Sequence, residues 1–376
     1  MPHRRIERAL RWLLWVVGAA AFVWVLRAAN LRGALPAIAK AGPILALGLV
    51  PFFVQIALDA LAWRALLARL AHRVAWRRLI AVRLATEAVL LIVPGGSLVG
   101  ESLKPYLLHR VAAVPIADTV ASVAIKRCVL TLALAGYLAL AWLVGDALYD
   151  AASRRVVGTT QLAGYVASAA ALVAAIGTIS LLVLSSAAVA DRVRRLLARV
   201  PSRRLAAALE RRRAGFAATD AAFVALRRPA PLAIAFALLS AAWLTEAVET
   251  YVLLRLVGVA LDPAQVLAME AAVVFARNAA FFVPAGLGVQ DAGYLAFLAA
   301  FGVASPLAAA FVVVKRTKEL VWIALGYLVM FALGRRHPAT RAEADRPADA
   351  AEDREPRIRD TDSRCSAVGL AARGSW

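Results

Sequence analysis

The chain has 376 residues, 62% of them hydrophobic, and a formal net charge of +20. That apolar fraction excludes an ordinary water-soluble domain of this length. The basic excess does not indicate nucleic acid, because most of the arginine lies in short segments between apolar stretches, as the positive-inside rule produces.

The first apolar run, about 12–29, follows a basic start and is read as an uncleaved crossing, with Arg11 and Arg27 snorkelling to the two faces. A second crossing at about 43–63 carries Asp59, and the segment after it holds Arg64, Arg69, Arg73, Arg77 and Arg78 with no acid. The next apolar stretch, about 79–110, is interrupted by VPGGSLVGE at 93–101. A crossing at about 116–144 contains IKR at 125–127 and then Gly136–Tyr137–Leu138. After a crossing at about 160–185 comes a basic segment, 187–229, with eleven arginines against Asp191, Glu210 and Asp220. The crossing at about 231–257 carries Glu246 and Glu249.

A second interrupted stretch, about 265–300, contains VPAGLGVQD at 283–291, and the crossing at about 303–333 contains VKR at 314–316 and then Gly326–Tyr327–Leu328. Pro94 and Pro284, Glu101 and Asp291, and Asp59 and Glu249 are each 190 residues apart. Each half of an interrupted stretch is about 15 residues, roughly 22 Å of helix, short of the ~30 Å hydrocarbon core. Both are therefore read as re-entrant pairs of half-helices.

Loop charges place the Arg-rich segments, and both termini, in the cytoplasm. The spans after the two breaks then run in opposite directions. The expected fold is an all-α polytopic helical membrane protein of two inverted-topology repeats, about 10–144 and 160–333, each with a Gly/Pro-broken re-entrant pair, N-in and C-in. Residues 1–334 form the transmembrane domain, and 335–376 read as a disordered cytoplasmic tail too short for an ordinary catalytic domain.

Ionisable residues inside apolar segments are the candidate site. They are Asp59, Glu87, Glu101, Lys104, Lys126, Arg127, Glu246, Glu249, Arg277, Asp291, Lys315, Arg316, Lys318 and Glu319. Each would cost roughly 2.5–3.5 kcal/mol facing lipid at mid-membrane, so they pair, snorkel or line a wet cavity. Of 44 basic residues only five are lysine, and Lys104, Lys126, Lys315 and Lys318 all sit in or beside the repeated motifs, where a compact ammonium replaces the planar guanidinium. Spacing suggests pairs between Lys315 and Glu319 and between Glu101 and Lys104.

At the breaks, Pro94, Gly95 and Gly96, and Pro284, Gly286 and Gly288, end one half-helix and turn the chain. The next half-helix, near Ser97 or Gly288, would offer free N–H groups to an anion. A phosphate-bearing headgroup would then meet Lys104, Lys126, Arg127, Arg277, Lys315 and Arg316, while Asp59, Glu101, Glu249 and Asp291 gate or meet cationic groups. Cys128 and Cys365 give no disulfide framework, the four histidines lack ligand spacing, and no catalytic motif is present, so no catalytic residue, metal or cofactor is expected.

At these motifs the chain resembles the transmembrane, flippase-like region of lysylphosphatidylglycerol synthases and its stand-alone relatives. The matching features are P-GG-x-x-x-GE at 94–101, KR at 126–127, and VPAGLGVQDAG at 283–293 with its downstream KR. The resemblance covers about 10–333. It implies two inverted halves with re-entrant helices that move lipids between leaflets, without the soluble aminoacyl-transferase domain of the full synthases.

The expected function is a lipid translocase of the bacterial inner membrane, handling a phospholipid, an aminoacyl-phospholipid or a polyprenyl or hopanoid-type lipid. Its partner is a membrane lipid with an anionic or zwitterionic headgroup, with a lipid-modifying enzyme as a further partner and no nucleic acid. The alternatives are a non-catalytic membrane partner that presents lipid to a separate synthase or transferase, and an integral-membrane transferase. Neither the lipid nor the oligomeric state is fixed by the sequence.

Overall fold

The structure is a computed structural model that describes residues 31–92, 96–156, 158–186, 188–200 and 202–335. The expected first crossing, Pro94, Gly95 and the tail beyond Arg335 lie outside the described residues.

All regular structure among the described residues is helical. A short helix α1 (Leu31–Ala41) leads through a 3₁₀ segment into α2 (Leu49–Arg69). Two shorter helices follow, α3 (Trp76–Ile92) and α4 (Gly96–Ala112), and then the long α5 (Ile116–Val156) and α6 (Leu162–Ser185). The basic segment forms α7 (Val189–Leu197), α8 (Arg203–Arg211) and α9 (Arg213–Ala225). The chain continues with α10 (Pro229–Leu256), α11 (Pro263–Ala279), α12 (Val289–Ala300) and α13 (Ser305–Arg335).

Five described segments are long and apolar enough to cross a bilayer: Ile38–Arg69, Ile116–Arg155, Leu162–Ser185, Pro229–Leu256 and Ser305–Arg335. They coincide with five of the crossings read from hydropathy, and the chain is a multi-pass membrane protein. Alanine and leucine, which favour helix, dominate these spans. The 41 residues of α5 exceed one crossing; non-helical dihedrals at Gly145 (φ −124°, ψ 15°) divide it there. That break falls where the apolar run stops, before Asp146.

The two interrupted stretches are helix pairs, as expected. α3 and α4 pack against each other, and so do α11 and α12. At 17, 17, 17 and 12 residues, roughly 18–26 Å each, none reaches across a full hydrocarbon core.

Side chains are distributed inside out. Tyr165, Leu172, Ile176, Ile179 and Leu182 of α6, and Leu320, Leu328 and Phe331 of α13, are all more than half exposed. Asp59, Lys104, Lys126, Glu249, Glu270, Asp291 and Lys315 are buried. In water this arrangement would fail on both counts. In lipid the outer face is solvated by acyl chains and the charges are held within protein.

α2 and α10 lie side by side along much of their length. These are the helices that carry Asp59 and Glu249. A second close approach joins α13 to α3: a Cβ on Gly326 would stand 2.6 Å from the Leu84 carbonyl oxygen and 2.9 Å from Ala88 Cβ. Glycine is required there to let the backbones meet.

Candidate functional site

The break between α11 and α12 shows how the motif residues work locally. Ala285, Gly286 and Gly288 take φ of +50°, +57° and +79°, and the positive φ of the two glycines carries no Cβ penalty. Asp291, on the first turn of α12, accepts the Gly288 N–H at 2.8 Å. Arg316 then grips this turn. Its Nε donates to Asp291 Oδ1 at 2.8 Å and its Nη2 to Oδ2 at 2.7 Å. Its Nη1 donates to the Ala285 carbonyl at 3.0 Å and to Glu319 Oε2 at 2.6 Å.

This corrects two expectations. The N–H at Gly288 is not free for an external anion, because the chain's own carboxylate occupies it. Glu319 pairs with Arg316 rather than Lys315, because the guanidinium lies between the turn and the next helical turn of α13 and satisfies both acids at once. In the other half, Pro94 and Gly95 are outside the described residues, and Gly96 opens α4.

The remaining charges form two sets of contacts. In the first, Lys126 Nζ donates to both Asp59 oxygens, at 2.7 and 2.9 Å. Arg83 Nε lies 3.1 Å from Asp59, and Arg83 also pairs with Glu87. Lys104 Nζ donates to Glu101 Oε1 at 2.6 Å, the pair expected from spacing. Arg127 approaches the same oxygen only to 3.9 Å, with its side chain 47% exposed. Glu101 Oε2 has no hydrogen-bond partner although buried.

In the second network Lys315 Nζ donates to Thr250 Oγ1 at 2.7 Å and to Glu270 at 3.2 Å, and lies 3.7 Å from Glu249. Glu270 also accepts from Thr250 at 2.5 Å and from the Tyr294 hydroxyl at 2.9 Å. Lys318 donates to Glu249 at 2.6 Å. Arg277 pairs with Glu246 at 3.1 Å, Gln55 of α2 donates to Glu246 at 2.8 Å, and Gln290 donates to Glu319 at 2.7 Å.

Two contacts recur at the repeated motifs. The lysine of each KR motif reaches the acid on the paired central helices, Lys126 to Asp59 and Lys315 to Glu249. The arginine of each KR motif reaches the acid that closes each VP motif, Arg127 to Glu101 and Arg316 to Asp291.

A cavity of about 240 Å³ lies between the networks. Asp59, Glu87, Glu101, Glu246, Glu249 and Glu319 line it, and so do Arg83, Lys104, Arg127, Arg277, Lys315 and Lys318. Six carboxylates face six cations, so the chamber is close to neutral and strongly polar. Among the described residues, the cations expected to meet a phosphate are each paired with an acid and form no uncompensated cationic pocket. An unpaired ammonium in a low-dielectric interior costs several kcal/mol, and each cation here has an acid beside it. Phe52, Leu90, Leu91 and Phe281 give the same chamber apolar walls.

The expected site residues thus divide. Asp59, Glu101, Lys104, Arg127, Glu249, Arg277 and Lys315 border the cavity, as does Gly286. Lys126, Arg316 and Asp291 are buried and do not border it; Lys126 meets it through Asp59. Sequence reasoning passed over Glu270, although it is a lone acid in apolar α11 two turns before Arg277 and legible by the rule that found the others. Arg83, four residues before Glu87, carried the same signal. Nothing in the pattern singled out Gln55, Thr250, Gln290 or Tyr294, which become partners only through packing. Among the described residues, no group of three or more metal-binding side chains is assembled.

The family model for the lysylphosphatidylglycerol synthase TM region matches residues 11–326. A search of the curated proteins finds no match.

Proposed function

We propose that this chain, which belongs to the lysylphosphatidylglycerol synthase TM region family, is a lipid translocase whose central cavity receives a lipid headgroup while the acyl chains stay in the bilayer. The observation that carries this reading is a polar, charge-balanced chamber with apolar walls, set inside a bundle whose outer surface is aliphatic. Such a chamber exchanges internal ion pairs for headgroup contacts at low net cost. A dry set of neutralising pairs would need no cavity.

Roles follow from engagement. Arg127 is the lining cation most loosely held, and Glu101 beside it keeps an oxygen unpartnered. These two make the first contacts with a phosphate and with a headgroup donor. Lys104, Arg277 and Lys315 line the deeper wall and join as their own pairs open. Lys126 and Arg316 position Asp59 and Asp291.

The matched contacts of the two KR motifs support an inverted-repeat reading, with alternating access by rocking of the halves or motion of the two broken helix pairs. The 1–334 domain, its two halves, the cytoplasmic termini, the disordered tail and the bacterial inner membrane belong to this proposal. So does a membrane lipid as partner.

The test is transport in proteoliposomes, read by loss of headgroup accessibility of a fluorescent phospholipid to a membrane-impermeant reductant. The wild-type chain should exceed protein-free vesicles. Arg127→Ala and Glu101→Gln should lose most of that rate, whereas Thr159→Ala, outside the cavity lining, should not. Equal rates in all variants, or none above empty vesicles, would reject the reading.

A further inference from the structure

The helix that follows α6 wears its sides reversed. Ala188, at φ +62°, turns the chain directly after the span, and α7 starts at Val189. The Asp220 carboxylate on α9 accepts the N–H groups of Ala190 and Asp191 at 2.7 and 3.1 Å. That places a negative charge at the positive end of the helix. Asp191 accepts from Arg194 Nε at 2.8 Å, and Arg194 reaches Glu210 of the neighbouring segment at 3.3 Å. The inward side of α7 is therefore polar and fastened.

Its aliphatic side points away from the protein. Val193, Leu196, Leu197 and Val200 are 46%, 59%, 41% and 50% exposed, at spacings that place them along one face and into the following turn. Arg192, Arg195 and Arg199 are exposed beside them. Arg195 also lies 3.1 Å from Asp191, and Arg192 lies 3.5 Å from Ser186 Oγ. The nearby α8 shows the opposite polarity, burying Leu209 and exposing Ala206, Ala207 and Glu210. An aqueous loop would turn both helices the α8 way. Three outward aliphatic side chains on one short helix, continued by Val200 in the following turn, form an apolar strip of the kind that marks an interaction surface.

The lipid-facing residues Ile179, Leu182 and Val183 of α6 run up to the turn, so α7 leaves the bundle where a span ends. An aliphatic face flanked by arginines at that level fits acyl chains below and acidic headgroups beside them. We infer that α7 is an interfacial docking helix for an anionic leaflet, with Val193, Leu196 and Leu197 at the acyl boundary and Arg192, Arg195 and Arg199 on lipid phosphates. This surface is separate from the cavity and does not depend on transport.

The test uses the full chain with Cys365→Ser, an environment-sensitive fluorophore at Leu196→Cys or Ala207→Cys, and nanodiscs of phosphatidylcholine with or without phosphatidylglycerol. An unsubstituted Leu196 control corrects for labelling at buried Cys128. At Leu196→Cys the fluorophore should be quenched by acyl-chain nitroxides and protected from aqueous iodide, most strongly in phosphatidylglycerol discs. At Ala207→Cys the two quenchers should exchange effects. Combining Arg192→Gln, Arg195→Gln and Arg199→Gln should abolish the phosphatidylglycerol dependence while size-exclusion behaviour is retained. Iodide access at Leu196→Cys in acidic discs would overturn the inference. So would protection from both quenchers, which would place a second copy or another protein on this face. An unchanged lipid dependence in the triple variant would overturn it too.

Discussion

Replacing Glu270 by leucine tests whether the charges behind the cavity are as tightly balanced as their distances imply. The carboxylate is fully buried and accepts from Thr250, Tyr294 and Lys315. At 3.2 Å from Lys315 and an effective dielectric near 20, the gross attraction is about 5 kcal/mol. Removing one partner of a buried pair typically costs about 3–5 kcal/mol, and Lys315 would keep only Glu249, at 3.7 Å and shared with Lys318. At roughly 2–3 °C per kcal/mol, Glu270→Leu should lower the melting temperature in detergent by about 6–15 °C.

Adding Lys315→Met to Glu270→Leu should recover half or more of that loss. The under-compensated ammonium is then gone, and Glu249 keeps Lys318 at 2.6 Å. What remains, about 1–3 kcal/mol, is the Thr250 and Tyr294 hydroxyls left without their shared acceptor. Thermal scans followed by tryptophan fluorescence measure both variants. A single variant as stable as wild type, or a double variant no better than the single, would refute the argument that Lys315 is held by charge rather than by shape.

Arg316→Ala should free the turn at 283–288, losing about 3–5 kcal/mol and speeding amide hydrogen exchange there well before the spans open. Gly326→Ala should destabilise by about 1–3 kcal/mol through the clash with Leu84 and Ala88. Gly164→Ala, in α6 with open space around it, should gain about 0.5–1 kcal/mol in the same thermal scan. The hydrogen bond from Arg194 holds the Asp191 carboxyl below its ordinary range, assisted by the charges of Arg194 and Arg195. A depressed carboxylate stabilises above its unfolded pKa and loses that contribution as pH falls through the lower folded value. The attachment of α7 should therefore be constant from neutrality down to the carboxylate range and weaken only below it, seen as rising iodide access at Leu197→Cys. A change centred near pH 6–7 would mean that another group holds the helix.

Much of the architecture was legible because lipid imposes simple rules. An apolar run of span length becomes a helix, and a Pro/Gly interruption divides one, so the five described crossings and both broken pairs were readable from hydropathy and punctuation. A charge inside such a run must find shelter, which marked Asp59, Glu101, Lys104, Arg127, Glu249, Arg277 and Lys315 before any contact was visible. Pairing was less accessible. Spacing along one helix found Glu101 with Lys104 but assigned Glu319 to Lys315, since it sees only neighbours on the same helix.

What the sequence determined by itself is which residues cannot face lipid and where the chain must cross or turn, because the cost of an exposed charge or an unpaired backbone group in hydrocarbon depends on local composition alone. What only the tertiary structure decided is who satisfies whom. Lys126 meets Asp59 across 67 residues, Lys318 meets Glu249 across 69, and Gln55 meets Glu246 across 191. Those choices depend on how helices pack, and they turn a row of isolated charges into a charge-balanced chamber in which Arg127 is the most loosely paired cation. The reversed polarity of α7 was decided the same way, since its sequence pattern marks an aliphatic face but the fastening by Asp220 and Glu210 settles which way that face points.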